Sequence, residues 1–146
     1  CKEGVFKIID MFKKFYDDSN RKLIPVRAEV VVGDEEWGVT GMIDQLFFNE
    51  KSKQLEIWDW KTNKDIKKAN KWQQFKKPLS HLDVCELNTY SLQLSFYMLI
   101  VERNTDLVLG DSYIVWLNEK NDTYKVMKCY DFRDEILKIM KKLNLK

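Results

Sequence analysis

A chain of 146 residues that is 45% hydrophobic and 33% charged has the length and composition of one globular domain, not of a disordered segment. No apolar run approaches the roughly 18 residues of a membrane span, and no signal-peptide pattern opens the chain, which points to an intracellular, unsecreted protein. The net charge of +2 is too small to mark a nucleic-acid binder by itself, and the three widely spaced cysteines, Cys1, Cys85 and Cys129, suit neither a disulfide framework nor a metal finger.

Val5, Ile8, Ile9, Phe12, Phe15 and Tyr16 recur at helical spacing and predict an amphipathic helix that ends at 17–20. β-Branched residues from Ile24 to Val32 predict a strand that holds Glu29, with Pro25 tolerated at its start. A turn at 33–36, a second strand from Trp37 to Phe48, a polar hairpin loop at 49–53 and a third strand from Gln54 to Lys61 complete an antiparallel meander. A long polar connection then runs from Thr62 to about Leu87. Asn88, as N-cap, opens a helix to Arg103 whose Leu92, Leu94, Phe96, Met98, Leu99, Ile100 and Val101 leave few polar faces, the mark of a buried helix. Strands at 112–117 and 124–129 follow. Asp131 caps a last helix with the stripe Phe132, Ile136, Met140 and Leu143. The order α-β-β-β-α-β-β-α predicts a compact α/β sandwich with a mixed sheet. Cys1, with no initiator Met and directly before a helical pattern, reads as the start of a piece of a longer protein.

The chemistry concentrates between Gly41 and Lys61. Side chains alternate faces along a strand, so Asp59 and Lys61 share a face with Ile57 while Trp58 and Trp60 pack the other. At about 3.3 Å per residue, Asp59 and Lys61 are separated by roughly 7 Å, a gap for one hydrated metal ion and a water. Asp44 supplies a second carboxylate from the neighbouring strand. Paired acids beside a lysine are what metal-assisted phosphodiester hydrolysis needs. Asp-x-Lys alone occurs in many chains, but here Gly41-x-x-Asp44 precedes it and Gln93-x-x-x-Tyr97 follows on the apolar helix. Gln93 and Tyr97 share one helix face, and a glutamine buried among apolar residues needs a partner, since a bare buried amide costs about 1–3 kcal/mol.

The succession of Glu29 in a strand, Gly41-x-x-Asp44, Asp59-Trp60-Lys61-Thr62 and Tyr90-Ser91-Leu92-Gln93-Leu94-x-x-Tyr97 resembles the PD-(D/E)XK nuclease superfamily, and within it the RecB-like branch with its GxxD, D-(Y/W)-K-T and QLxxY motifs. Pro78-Leu79-Ser80-His81-Leu82 resembles phage and viral exonuclease members. The likeness runs from about Val26 to Met140. It implies a restriction-endonuclease-like three-layer sandwich, with a central mixed β-sheet flanked by helices, formed by one nuclease domain over 1–146 that lacks an N-terminal part. It further implies DNA cleavage with Mg2+, or Mn2+ as a substitute, in replication, recombination or repair. Asp44, Asp59 and the Trp60 carbonyl would hold the metal. Lys61, kept charged because a neutral base would need a pKa about three units below the ordinary 10.4, would position water and stabilise the transition state. Gln93 and Tyr97 would orient phosphate or lysine, and Glu29 would act behind the first ligands or on a second metal. Branch members carry a further ligand, usually histidine, on an upstream helix. His81 lies after Lys61 and cannot match it, and Asp10 on the first helix is no clear equivalent.

Between Lys61 and Lys77 seven lysines face one acid, Asp65, with Trp72 and Phe75 interleaved. This stretch is read either as a basic flap over DNA, with Lys64, Lys67, Lys68, Lys71 and Trp72 as contacts, or as a solvated loop. His81 is read as structural, and Cys85 and Cys129 as inert buried thiols. Two rival functions stand beside a deoxyribonuclease. One is a catalytically incomplete nuclease fold that grips DNA within a larger replication protein, whose other domains would be partners. The other, a paired-carboxylate glycosidase, has no use for Lys61.

Overall fold

The computed structural model describes residues 2–19, 22–66, 69–74 and 83–143. In chain order the elements are α1 (Lys2–Ser19), β1 (Leu23–Asp34), β2 (Val39–Asn49), β3 (Gln54–Lys61), β4 (Ala69–Gln74), β5 (Asp83–Cys85), α2 (Glu86–Asn104), β6 (Leu109–Trp116), β7 (Lys125–Lys128) and α3 (Arg133–Lys142). The expected order holds, with one addition: β4 and β5 pair as a small antiparallel sheet inside the long polar connection. The main sheet has the order β1-β2-β3-β6-β7, with β3 and β6 parallel and the other neighbours antiparallel. A parallel pair requires a crossover, and α2 supplies it.

The three layers follow from side-chain periodicity. Met11 and Phe15, with Ile8 and Phe12 beside them, form the apolar stripe of α1 and pack on Phe47, Trp58, Val115 and Leu117. On the opposite face Leu94, Met98 and Ile100 of α2 pack on Ile43, Ile57 and Ile114. α3 lies against α2 through Ile136, Leu99 and Trp37. β3 is central and covered on both sides, so Glu56 to Asp59 are all buried, while Ile24 to Glu29 on the outer strand β1 are exposed. A fully buried Phe15 contributes about 1.5–3 kcal/mol through apolar area alone.

Several local expectations are corrected. Pro25 sits at the third residue of β1, where an edge position and a register shift before Arg27 spare the missing N–H. β1 extends through Asp34, whose carboxylate accepts the Trp37 N–H at 2.8 Å, so the turn falls at 35–38. α2 begins at Glu86, ahead of Asn88, with Cys85 at the cap position. Asp131 does accept the Arg133 N–H at 3.1 Å, but Phe132 takes the cap position of α3. α2 is buried over much of its surface by way of two serines as well as apolar residues: Ser91 Oγ accepts the Tyr130 N–H at 3.1 Å and Ser95 Oγ the Phe132 N–H at 3.0 Å. Among the described residues no helix is long and apolar enough to cross a membrane.

Candidate active site

The β2–β3 ladder runs from Asn49–Gln54 to Gln45–Trp58 and stops there. Asp44 and Asp59 are the next residues on each strand, at the mouth of a fork. The Trp60 N–H, which a longer ladder would give to a backbone carbonyl, goes to Asp44 Oδ2 at 3.0 Å. In an extended strand the C=O of a residue points to the same side as its N–H, so the Trp60 carbonyl also faces the fork. The alternation of β2 slips at this point. Ile43 packs in the α2-side core, while Gln45, two residues on, lies 3.4 Å from the Tyr16 hydroxyl on α1. Opposite the slip, between the pairs Ala28–Gln45 and Val30–Ile43, stands Glu29 with a left-handed φ of 51°.

Asp59 is 6% exposed. Its Oδ2 lies 2.9 Å from Lys61 Nζ, yet no hydrogen-bond donor is aligned on that buried oxygen. The lysine side chain thus folds back and closes the 7 Å gap expected for an ion and a water. Burial pushes the Asp59 carboxyl up, the adjacent Asp44 carboxylate pushes it further and Lys61 pulls it back, leaving a pKa of about 6 against the ordinary 3.8. Burial works against the Lys61 charge, but Asp59 outweighs it and holds the ammonium above the usual lysine range. Two carboxylates crowded together at a buried position are an arrangement that an added cation relieves.

α2 presents a polar stripe to this fork. Glu86, Tyr90, Gln93 and Tyr97 follow spacings of four, three and four, which keep them on one helix face. Lys61 Nζ lies 4.2 Å from the centroid of the Tyr90 ring, and Gln93 Nε2 donates to the Tyr97 hydroxyl at 3.0 Å. Gln93 is exposed, which corrects the expectation of a buried amide: α2 turns its 93 position toward solvent, and Tyr97 supplies the partner. Tyr97 reaches the site by lying directly over Gly41. Beyond β3, Asn63 is pinned by its carbonyl, which accepts Asn118 Nδ2 at 2.8 Å and Trp116 Nε1 at 2.5 Å.

The structure thus brings together Asp44, Asp59, Trp60 and Lys61, with Gln93 and Tyr97 on the helix above. Glu29 is exposed on the edge strand, across from Asp44 in the register. Asp10 is exposed on α1, which packs on the far face of the sheet. Lys64 is exposed, Lys67, Lys68, Phe75 and His81 lie outside the described residues, and only the backbone of Lys71 and Trp72, on β4, is described. Cys129 is buried, with its thiol pushed up to about 11 chiefly by that burial, whereas Cys85 is half-buried and not the core thiol expected. Tyr90 and Glu86 were not singled out from sequence, although the spacing that linked Gln93 to Tyr97 extends back to both.

A divalent cation fits the donor set in part. Mg2+ takes hard oxygen ligands, commonly one or two carboxylates, and keeps several waters. Asp44, Asp59 and the Trp60 carbonyl are oxygen donors of that kind. Among the described residues no group of three or more His, Cys, Asp or Glu side chains converges to hold a metal.

A family model described as the PD-(D/E)XK nuclease superfamily matches residues 5–143. No curated protein matches the chain.

Proposed function

The chain belongs to the PD-(D/E)XK nuclease superfamily, and from that premise we propose that it is a Mg2+-dependent deoxyribonuclease, an exonuclease or end-processing enzyme of DNA replication, recombination or repair. The observation that supports this best is the fork itself: Asp44 and a buried Asp59 side by side, with the Lys61 ammonium 2.9 Å from Asp59 Oδ2. In this reading Asp44, Asp59 and the Trp60 carbonyl hold the ion, with Mn2+ as a substitute. The bound ion supplies Lewis acidity to a phosphate oxygen and lowers the pKa of a coordinated water.

Hydrolysis adds water across one P–O bond. The water oxygen bonds to phosphorus, and the sugar oxygen departs with a proton. Lys61 acts by charge: it orients the water and stabilises the negative charge that grows in the transition state. Gln93 and Tyr97, joined by their own hydrogen bond, present donors from α2 that orient the phosphate or the lysine. Glu29 has a place near Asp44 on the strand register from which to act on a second metal or behind the first ligands. Lys64, Lys67, Lys68, Lys71 and Trp72 contribute charge and a stacking surface for DNA.

The test is Mg2+-dependent degradation of end-labelled DNA. Asp59→Ala and Lys61→Ala should each lower the rate by about a hundredfold or more. Cleavage that survives both substitutions rules the proposal out. The second reading, a nuclease fold that binds DNA without cutting it, is motivated by the further upstream ligand of the RecB-like branch, for which Asp10, exposed on the α1 side of the sheet, is no match. It predicts salt-sensitive DNA binding with no Mg2+-dependent cleavage, even when further domains of a longer protein are present.

A further inference from the structure

Among the described residues the Lys61 ammonium has contacts of two kinds, a carboxylate and an aromatic ring. Asp59 Oδ2 is 2.9 Å from its ammonium, and the Tyr90 ring lies beneath that ammonium at 4.2 Å. The Tyr90 hydroxyl, at the far end of the ring, lies beside the Glu86 side chain one helical turn earlier and beside Asn63. Asn63 is itself held through its carbonyl by Trp116 and Asn118.

We infer that Tyr90 is a positioning residue for Lys61, whose ring face keeps the ammonium over the β2–β3 fork when Asp59 is engaged elsewhere. The inference rests on the nuclease reading, in which Asp59 serves as a ligand. A carboxylate committed to a divalent cation attracts a lysine less. The side chain of Lys61, with about 2 kcal/mol of rotamer freedom, then needs another restraint to stay in place. Asp44 has the same duty, whereas the aromatic ring is free of it. Glu86 and Asn63 act one step further back, by setting the plane of the ring.

The experiment compares Tyr90→Phe and Tyr90→Leu. In steady-state cleavage of end-labelled DNA with Mg2+, Tyr90→Leu should lose about 3- to 30-fold in kcat with KM unchanged, and Tyr90→Phe should stay within about threefold of the parent. A second readout needs no metal and no turnover. In the metal-free protein the Lys61 ε-methylene protons should show an upfield ring-current shift by NMR, present in Tyr90→Phe and lost in Tyr90→Leu. Should Tyr90→Leu fail to fold, Tyr90→Met, similar in volume and without a ring, takes its place. The inference is overturned by unshifted Lys61 signals in the parent protein. It is equally overturned by a ringless variant with parental kcat, or by a Tyr90→Phe variant as impaired as Tyr90→Leu, which would assign the role to the hydroxyl. Absence of Mg2+-dependent cleavage by the parent protein would instead defeat the nuclease reading, while the ring-current measurement would still decide whether Tyr90 holds Lys61.

Discussion

The Tyr97 ring occupies the space where a Cβ on Gly41 would sit, so the glycine of one motif and the tyrosine of another are two halves of a single contact. Gly41 lies three residues before Asp44 on β2, and Tyr97 lies four residues after Gln93 on α2. Only a bare backbone at 41 lets α2 come close enough to bring Gln93 and Tyr97 over the fork.

Gly41→Ala should therefore destabilise the protein by about 1–3 kcal/mol, the usual cost of overpacking, because the ring cannot withdraw without breaking its bond to Gln93. Tyr97→Ala combined with it should recover part of that loss, giving a coupling energy above about 0.5 kcal/mol in a double-mutant cycle read by urea unfolding. Strictly additive effects would mean that the two residues do not share the contact in solution.

Much of this was legible in the sequence wherever a single periodicity decided the outcome. β3 was bounded correctly because alternation of Glu56, Trp58 and Trp60 against Ile57, Asp59 and Lys61 follows directly from a strand covered on both faces. The β4–β5 pair was missed because lysines, glutamines and asparagine carry no apolar alternation, so nothing local distinguished strand from loop. The cap of α2 lies three residues before Asn88, at Cys85, with the helix starting at Glu86; Asn88 has the side chain of a cap, but the chain turns earlier, where the Ile66 carbonyl accepts the Leu87 N–H. At the site, Asp44 and Asp59 could be placed on neighbouring strands from motif order. That the ladder stops short of them, that Lys61 folds back onto Asp59, and that Tyr90 lies under Lys61 are tertiary facts of side-chain reach, which no linear spacing encodes.

The crowded carboxylates give the metal-free protein a distinctive pH response. Asp59 has a folded-state pKa of about 6, above its ordinary 3.8, so the folded state binds the proton more tightly than the unfolded state. Its contribution is favourable at low pH and is lost as pH rises from about 4 through 6, at a cost on the order of 1–3 kcal/mol. Thermal melts in chelator should fall across that window, and Asp59→Asn should flatten the fall and raise Tm near neutral pH. Mg2+ at about 100 times its Kd should restore about 2.7 kcal/mol to the parent protein and much less to Asp59→Asn. A parent protein whose Tm ignores both pH and Mg2+ would contradict the assignment.

Asp34 responds in the opposite sense. Burial alone would raise its pKa, but Arg103 Nε at 2.9 Å, the Trp37 N–H at 2.8 Å and Asn104 Nδ2 at 3.0 Å outweigh that and bring it to about 2. Its folded pKa lies below the unfolded 3.8, so its stabilisation is complete above that value and is lost as pH falls through it toward 2. After discounting for solvent screening the effect is about 1–2 kcal/mol. Arg103 also stacks over Trp37, 4.1 Å from the ring centroid, so Arg103→Ala should both weaken the protein at neutral pH and shallow its acid transition. Urea titrations at pH 7, 4 and 2.5 separate the two effects. An acid transition of undiminished depth in Arg103→Ala would place its origin elsewhere.

The lysines after β3 offer a test that depends on charge alone. If Lys64, Lys67, Lys68 and Lys71 each neutralise a phosphate, replacing all four by alanine removes about 0.9 from the slope of log K against log salt for each lost contact, a total of about 3 to 4 on duplex DNA. Fluorescence anisotropy across a KCl series, in chelator so that the DNA stays intact, measures that slope directly. Because these residues are not ligands of the fork, single-turnover cleavage at saturating enzyme should change little while affinity at physiological salt falls steeply. An unchanged slope would show that the stretch is solvated in the complex, and would move the DNA-binding surface to other elements of the fold.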